Sequence, residues 1–199
     1  IKTDYYLIIM YRNLLKTINN RRALFDVKCS RSLIDELDKL NIEKTMYRTG
    51  NSYINMKMQE GNYLFGGEYS GHIYFRDRFP GFDDGIYAGL RMLELLSNNN
   101  STIDKELEGI NRYFSTEEIK VNSDDVKKFE IVEKVKEYCK SRNYNINETD
   151  GVRVEFDDSW ALIRVSNTTP CLTLRFEAKT ETRLNEVKEE FMNFINSVL

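Results

Sequence analysis

The sequence predicts an α/β domain, a mixed sheet with flanking helices, followed by an α+β domain, an antiparallel sheet covered by two helices. Three observations carry that prediction. In the first half, short apolar runs alternate with helix-period segments, the pattern of strand–helix–strand units. Ser97-Asn98-Asn99-Asn100-Ser101 then interrupts the pattern with a purely polar stretch. In the second half, strand-like runs follow one another through short turns, between two long amphipathic segments. The expected organisation is therefore residues 1–100 as one domain and 101–199 as a linker and a second domain.

Each element has a local reason. Leu7, Ile8, Leu14, Leu15 and Ile18 fall on one helical face, predicting a helix over 4–18 with Thr3 or Asp4 as N-cap. Ala23–Val27 reads as a short buried strand. Ser30 then caps a helix to Leu40 with Leu33, Ile34, Leu37 and Leu40 on one side. Thr45–Arg48 is a second strand, Thr49-Gly50-Asn51 a turn, and 53–58 a helix. Tyr63–Phe65 and Ile73–Phe75 are two further strands. Asp83 and Asp84 open a helix whose periodic residues are Ile86, Leu90, Leu93 and Leu96, since acidic side chains satisfy free N–H groups at a helix start. A short helix over 102–110 serves as connector. In the second half, Glu118–Val121 is strand-like, and Ser123 or Asp124 caps a helix to Arg142 with Phe129, Ile131, Val132, Val135 and Tyr138 inward. Strands follow at 152–156, 160–165 and 171–178. A helix over 182–198 closes the chain, with Leu184, Val187, Phe191, Phe194 and Ile195 inward.

Composition narrows the function. With 29 basic and 32 acidic residues the net charge of the 199-residue chain is −3, which excludes a general nucleic-acid coat. No apolar run approaches the ~20 residues that span a bilayer. Cys29, Cys139 and Cys171 are too scattered for a disulfide scaffold or zinc site, and reduced thiols point to the cytoplasm. The single histidine, His72, excludes a His-rich metal site.

Three constellations hold candidate chemistry. Gly66-Gly67-Glu68-Tyr69-Ser70-Gly71-His72 would, if extended, present Glu68, Ser70 and His72 on one face. A carboxylate, a hydroxyl and an imidazole in a row suit vicinal hydroxyls. A glycine-rich hairpin with incidental polar residues fits the spacing equally. A nucleophilic Ser–His pair lacks an evident acid partner for the histidine. Arg164-Val165-Ser166-Asn167-Thr168-Thr169-Pro170 lies between two strands. Its arginine offers a bidentate fork to phosphate, with Ser166, Asn167 and Thr168 adding neutral donors. An Asx or Ser/Thr turn ending at Pro170 is the plainer alternative. Asp26-Val27-Lys28-Cys29-Ser30-Arg31 ends a strand and begins a helix, where ligands gather in open α/β sheets. Lys28 there is a cation for a sugar or phosphate, or half of a solvated basic pair with Arg31. For Asp83-Asp84, capping is preferred to acid–base work or Mg²⁺ binding. Trp160 and most tyrosines and phenylalanines are expected in the core.

Taken in order, these segments resemble the α-D-phosphohexomutases, in particular the bacterial phosphomannomutase/phosphoglucomutase branch. Gly66–His72 is similar to that family's sugar-recognition loop, and Arg164–Pro170 to its phosphate-binding loop. Phe79-Pro80-Gly81-Phe82-Asp83-Asp84-Gly85-Ile86-Tyr87 and Phe25-Asp26-Val27-Lys28-Cys29 also match. The resemblance implies a four-domain enzyme that interconverts hexose 1-phosphate and hexose 6-phosphate through a hexose 1,6-bisphosphate. Its phosphoserine lies in the first domain and its Mg²⁺ loop in the second. Residues 1–100 then correspond to the third domain and the remainder to the fourth. Glu68 and Ser70 would bind ring hydroxyls, and His72 would support the loop or the ligand. Arg164, Ser166, Asn167 and Thr168 would grip the distal phosphate, and Lys28 would lie at the reacting end.

The phosphoserine and Mg²⁺ loops have no counterpart in these residues. The chain is therefore expected to be the C-terminal half of such an enzyme, inactive alone, with a hexose phosphate and the missing N-terminal domains as its partners and neither nucleic acid nor membrane. Asn51 stands where the family often has histidine, so any role there that needs an imidazole is in doubt. Two alternatives are a non-catalytic sugar-phosphate-binding module and a phosphoglucosamine mutase. The latter tends to carry glycine where this chain has Asn167.

Overall fold

The computed structural model describes residues 1–199, which form two compact units, Ile1–Asn111 and Arg112–Leu199. The division falls past the polar stretch at 97–101. Ile103, Leu107 and Ile110 pack into the first core, and Arg12 Nη1 donates to Glu106 O at 2.6 Å. The connector thus belongs to the first unit.

The first unit runs α1 (Thr3–Leu14), β1 (Arg22–Asp26), α2 (Arg31–Lys39), β2 (Glu43–Tyr47), α3 (Asn51–Glu60), β3 (Phe65–Gly67), β4 (Ile73–Phe75), α4 (Gly85–Asn99) and the single turn α5 (Ile103–Glu106). The sheet order is β2-β1-β3-β4. β1 pairs parallel with β2 and β3, and β3 antiparallel with β4. Alternation along β1 divides the core: Ala23 and Phe25 join Leu7, Ile8, Leu33, Leu37, Phe65 and Phe75 on one face. Leu24 joins Ile54, Met58, Tyr63 and Tyr74 on the other.

Ser30 caps α2 as expected, accepting from Ser32 N at 3.0 Å. Several details differ from the sequence prediction. Asp4 does not cap α1; it is buried and accepts from Ser30 N at 2.8 Å. The third strand sits two residues later than predicted and runs through Gly66 and Gly67. A Cβ on Gly66 would lie 2.7 Å from Leu24 O, so only glycine allows that pairing distance. Of the periodic residues of α4, Ile86, Leu90 and Leu93 are exposed and Leu96 packs on the first core, while its buried residues are Ala88, Arg91 and Met92.

The second unit runs β5 (Phe114–Ser115), β6 (Ile119–Asn122), α6 (Lys127–Ser141), β7 (Asn145–Asn147), β8 (Val152–Glu155), β9 (Ser159–Val165), β10 (Cys171–Ala178) and α7 (Glu181–Val198). Its sheet is antiparallel throughout, in the order β5-β10-β9-β8-β7 with β6 also on β10. Val154, Ala161, Ile163, Leu174 and Phe176 meet Ile131, Val135, Val187, Phe191 and Ile195 of the two helices. Asp124 receives Val126 N and Lys127 N ahead of α6. Trp160 is buried but lies outside that helix-packed cluster: Arg153 covers its ring at 4.0 Å, and its Nε1 donates to Glu177 at 2.8 Å. All three cysteines are free and buried, and no helix is long and apolar enough to cross a membrane.

Candidate functional site

The β3–β4 hairpin builds the first candidate site. Gly71 N donates to Glu68 O at 3.0 Å and Glu68 N to His72 O at 2.9 Å. These bonds close a tight turn over residues 68–71, with Gly71 at φ +102°, a conformation that favours glycine. The extended row expected for Glu68, Ser70 and His72 is therefore not formed. Glu68 points into the protein, Ser70 is exposed at the tip, and His72 is half-exposed.

Glu68 is 1% exposed. Its Oε1 accepts from Tyr74 OH and its Oε2 from Gly50 N, both at 2.9 Å. The carboxylate thus anchors the loop to the Thr49-Gly50 turn, and only its remaining lone pairs are left for a ligand hydroxyl. Burial pushes its carboxyl above the ordinary range, and the nearby Asp26 carboxylate adds to that. The sign follows: a group that binds its proton more tightly when folded stabilises fully below its unfolded value and loses that contribution as pH rises through the folded one. The wild-type chain should therefore lose stability relative to Glu68→Gln as pH rises from about 4.5 toward neutrality. Urea midpoints of the two proteins across that range measure it, and a constant difference would contradict it.

Asp26, wholly buried at the end of β1, joins three segments. Its Oδ1 accepts from Tyr69 N at 3.0 Å and Cys29 Sγ at 3.2 Å, and its Oδ2 from Thr49 Oγ1 at 2.9 Å. Lys28, also buried, places Nζ 4.0 Å from Asp26 Oδ2 and 5.6 Å from the Tyr69 ring. Lys28 and the 66–72 loop, singled out from separate motifs, are therefore brought together. Asn51 is the exposed first residue of α3.

The histidine has the acid partner that the sequence did not reveal. His72 Nδ1 lies 2.6 Å from Asp83 Oδ2, and Asp83 Oδ1 accepts from Ile73 N at 3.0 Å. The cap of α4 is Asp84 alone, through Tyr87 N at 2.8 Å. Asp83 instead fixes the imidazole with a proton on Nδ1 and Nε2 open as acceptor. Because His72 is the only histidine, its ¹⁵N spectrum in alkaline buffer reads the tautomer directly. The Nδ1–H form is expected in the wild type, and an increased Nε2–H population in Asp83→Asn; no change between the two would remove Asp83 from this role.

The second candidate site is the β9–β10 loop. Arg164 is buried; its Nε donates to Asp150 Oδ2 at 2.9 Å, while Nη2 is enclosed without a hydrogen-bond partner. Orphaned buried donors are rare in folded proteins, and a missing ligand is one explanation. Ser166 Oγ accepts from Thr169 N at 3.2 Å and Thr168 N at 3.4 Å and meets Thr169 Oγ1 at 2.8 Å. The predicted Ser/Thr turn is thus present and shapes the loop, with Asn167 and Thr168 exposed on it. Beneath it, buried Lys128 donates to Ser166 O at 3.2 Å and Thr169 O at 3.4 Å. Gly151, at φ +78°, packs where a Cβ would lie 2.4 Å from Ile163 O and 2.7 Å from Arg164 Cα. Lys128 is also paired with Asp125 at 2.8 Å and Arg164 with Asp150, so what the turn offers an oxyanion is the spare Arg164 Nη2 donor beside the exposed Asn167 and Thr168.

The sequence reading missed Asp26, Asp83, Lys128 and Asp150 as functional supports. Lys128 did leave a signal, a lysine on the α6 face shared with Ile131, Val132, Val135 and Cys139. No three His, Cys, Asp or Glu side chains are grouped to hold a metal ion.

Residues 2–113 match the family described as phosphoglucomutase/phosphomannomutase, alpha/beta/alpha domain III, and residues 118–194 match the corresponding C-terminal domain. The chain is 38% identical over 195 residues to phosphomannomutase/phosphoglucomutase of Pseudomonas aeruginosa, covering 98% of this chain and 42% of that protein. It is 34% identical over 196 residues to phosphoglucomutase of Neisseria gonorrhoeae, again over 98% and 42%. A crystal structure of a phosphoglucomutase/phosphomannomutase family protein from Burkholderia thailandensis superimposes with a TM-score of 0.88 at 32% identity. That match covers all of this chain and 42% of the other. The chain thus spans about two fifths of the length of these relatives.

Proposed function

For a chain that belongs to the phosphoglucomutase/phosphomannomutase family and carries its third and C-terminal domains, we propose recognition of a hexose phosphate as the task of these residues. The loop at 66–72 binds ring hydroxyls through Ser70, His72 and the free lone pairs of Glu68, with Lys28 as the neighbouring cation. The loop at 164–170 holds a phosphate through Arg164, Asn167 and Thr168, with Ser166 shaping the turn. The observation that carries this reading is Arg164, whose buried Nη2 has no protein partner beside an exposed Asn-Thr pair.

The whole protein, on this reading, interconverts hexose 1-phosphate and hexose 6-phosphate through hexose 1,6-bisphosphate in the cytoplasm. The phosphoserine and Mg²⁺ belong to parts of the enzyme outside these residues. The bisphosphate must present each end in turn, so the phosphate loop must accept either phosphate. Charge-assisted hydrogen bonds to phosphate meet that need, because they hold the anion whichever carbon carries it.

Calorimetric titration of the 199-residue chain with glucose 6-phosphate, mannose 6-phosphate and glucosamine 6-phosphate tests the reading. Binding of the first two without conversion of mannose 1-phosphate is expected. Turnover by these residues alone, or binding of none of the three, would overturn it. Preference for glucosamine 6-phosphate would move the assignment to a phosphoglucosamine mutase.

A further inference from the structure

Arg48 directly follows β2 and is half-buried. Its guanidinium carbon lies 3.8 Å from the centre of the Tyr53 ring, and its Nε is enclosed with no hydrogen-bond partner. The ring places the cation but supplies no acceptor for its N–H donors. The other arginines with enclosed guanidinium nitrogens are each matched by a carboxylate: Arg22 by Glu43, Arg153 by Glu155, Arg164 by Asp150 and Arg175 by Glu177. Arg48 is the exception. Tyr53 in turn rests against the Thr49-Gly50 turn, since a Cβ on Gly50 would lie 3.0 Å from its Cδ2.

The sheet register puts this cation beside the first candidate site. Asp26 of β1 stands opposite Tyr47 of the parallel β2, and Val27 N donates to Tyr47 O at 2.9 Å. Lys28 and Arg48 therefore leave the sheet side by side, at the strand ends where ligands gather in open α/β sheets. The two residues after Arg48 are both tied to the site, Thr49 Oγ1 to Asp26 Oδ2 and Gly50 N to Glu68 Oε2, each at 2.9 Å. Neither carboxylate serves Arg48. Glu68 is taken by Gly50 N and Tyr74 OH, and Asp26 by Tyr69 N, Thr49 Oγ1 and Cys29 Sγ, with Lys28 at 4.0 Å.

We propose that Arg48, with Lys28 beside it, is a second phosphate site, which binds the phosphate of a hexose bisphosphate that the 164–170 loop does not hold. The proposal rests on the hexose phosphate reading above. A phosphate monoester suits the position because its oxygens accept charge-assisted hydrogen bonds from a guanidinium and an ammonium together. A bisphosphate needs two such places, and the 164–170 loop provides one. A neutral sugar hydroxyl would leave the charge of Arg48 unmatched.

Calorimetric titration of the chain with glucose 6-phosphate and with glucose 1,6-bisphosphate measures its preference for the second phosphate. Arg48→Gln stays polar but loses the charge, and its preference for the bisphosphate should fall at least about tenfold, the worth of one charge-assisted hydrogen bond. Tyr53→Leu keeps the charge and removes the ring that holds it. It should lower the preference as well, and it serves as the second variant should Arg48→Gln disturb the turn. The Arg48 Nε–H resonance, assigned by its absence from Arg48→Gln, should shift on addition of glucose 1,6-bisphosphate and move less with inorganic phosphate at the same concentration. An unchanged preference in both variants would overturn the proposal. So would an equal shift with inorganic phosphate, which marks a general anion site. If the wild-type chain binds both ligands without preferring the bisphosphate, Arg48 alone loses its role. If wild-type titrations with both ligands are flat, the hexose phosphate reading itself fails and takes the second site with it.

Discussion

Arg164→Ala is expected to lower the stability of the second unit by about 3–5 kcal/mol and to abolish most of its phosphate affinity. The first effect comes from Asp150, a carboxylate only 7% exposed whose ion pair with Arg164 is lost. Removing one member of a buried pair leaves the other charge desolvated, which costs far more than the pair contributes. Against a typical total of ~5–15 kcal/mol the variant should still fold, with a much lower urea midpoint. The second effect comes from the lost fork. A hydrogen bond to a charged group is worth ~1.5–3 kcal/mol, so hexose phosphate binding should weaken roughly 10- to 150-fold. Glucose and mannose phosphates should suffer equally, because the contact is to phosphate. Arg164→Lys separates the two effects. It keeps a positive charge for Asp150 but loses the planar two-point grip. Stability should largely return in that variant while affinity stays low. Unchanged affinity in both variants would remove Arg164 from the phosphate site.

The parts of the molecule legible in the sequence are those governed by near neighbours. Helix α2 announces itself through Ser30 and the spacing of Leu33 and Leu37, and β8 to β10 through runs of β-branched and apolar residues. Very short strands such as β5 and β7 carry too few residues to show a period. For α4 the periodic residues divide, Ile86, Leu90 and Leu93 exposed and Leu96 packed on the core, because periodicity reveals that a helix has an apolar face but not what that face meets. The site divides in the same way. The residues proposed to meet a ligand stand in contiguous, compositionally unusual loops that the sequence marks out. Their supports act across long sequence distances, Asp26 on Tyr69 43 residues away and Lys128 on Ser166 38 residues away. A buried carboxylate at the end of a strand gives no local sign of which loop it will hold. Spacing also misassigned Glu68: only the turn closed by Gly71 shows that its carboxylate faces inward.

That inward network makes the second large effect specific. Asp26→Ala removes at once the acceptor for Tyr69 N, Thr49 Oγ1 and Cys29 Sγ. A fully buried donor that loses its acceptor costs ~1–3 kcal/mol; Cys29 is buried while Tyr69 and Thr49 are half-buried and cost less, and Lys28 loses the carboxylate 4.0 Å from its ammonium. A loss of about 3–5 kcal/mol is expected. The recognition loop should loosen before the rest of the unit, because Tyr69 N is its direct tie to β1. Hydrogen exchange at Tyr69 should accelerate more than at Phe25, which lies in the middle of the sheet, or at Leu24, whose amide donates to Tyr11 OH. Asp26→Asn tells geometry from charge. An asparagine can still accept from Tyr69 N, and its amide can donate to Thr49 Oγ1, which accepts as readily as it donates. Loop protection should then survive while the electrostatic match to Lys28 is lost. If Asp26→Asn keeps both protection and hexose phosphate affinity, the residue acts purely as a tie. If it keeps protection but loses affinity, its charge sets how Lys28 is presented. Wild-type exchange at Tyr69 in Asp26→Ala would remove Asp26 from the site altogether.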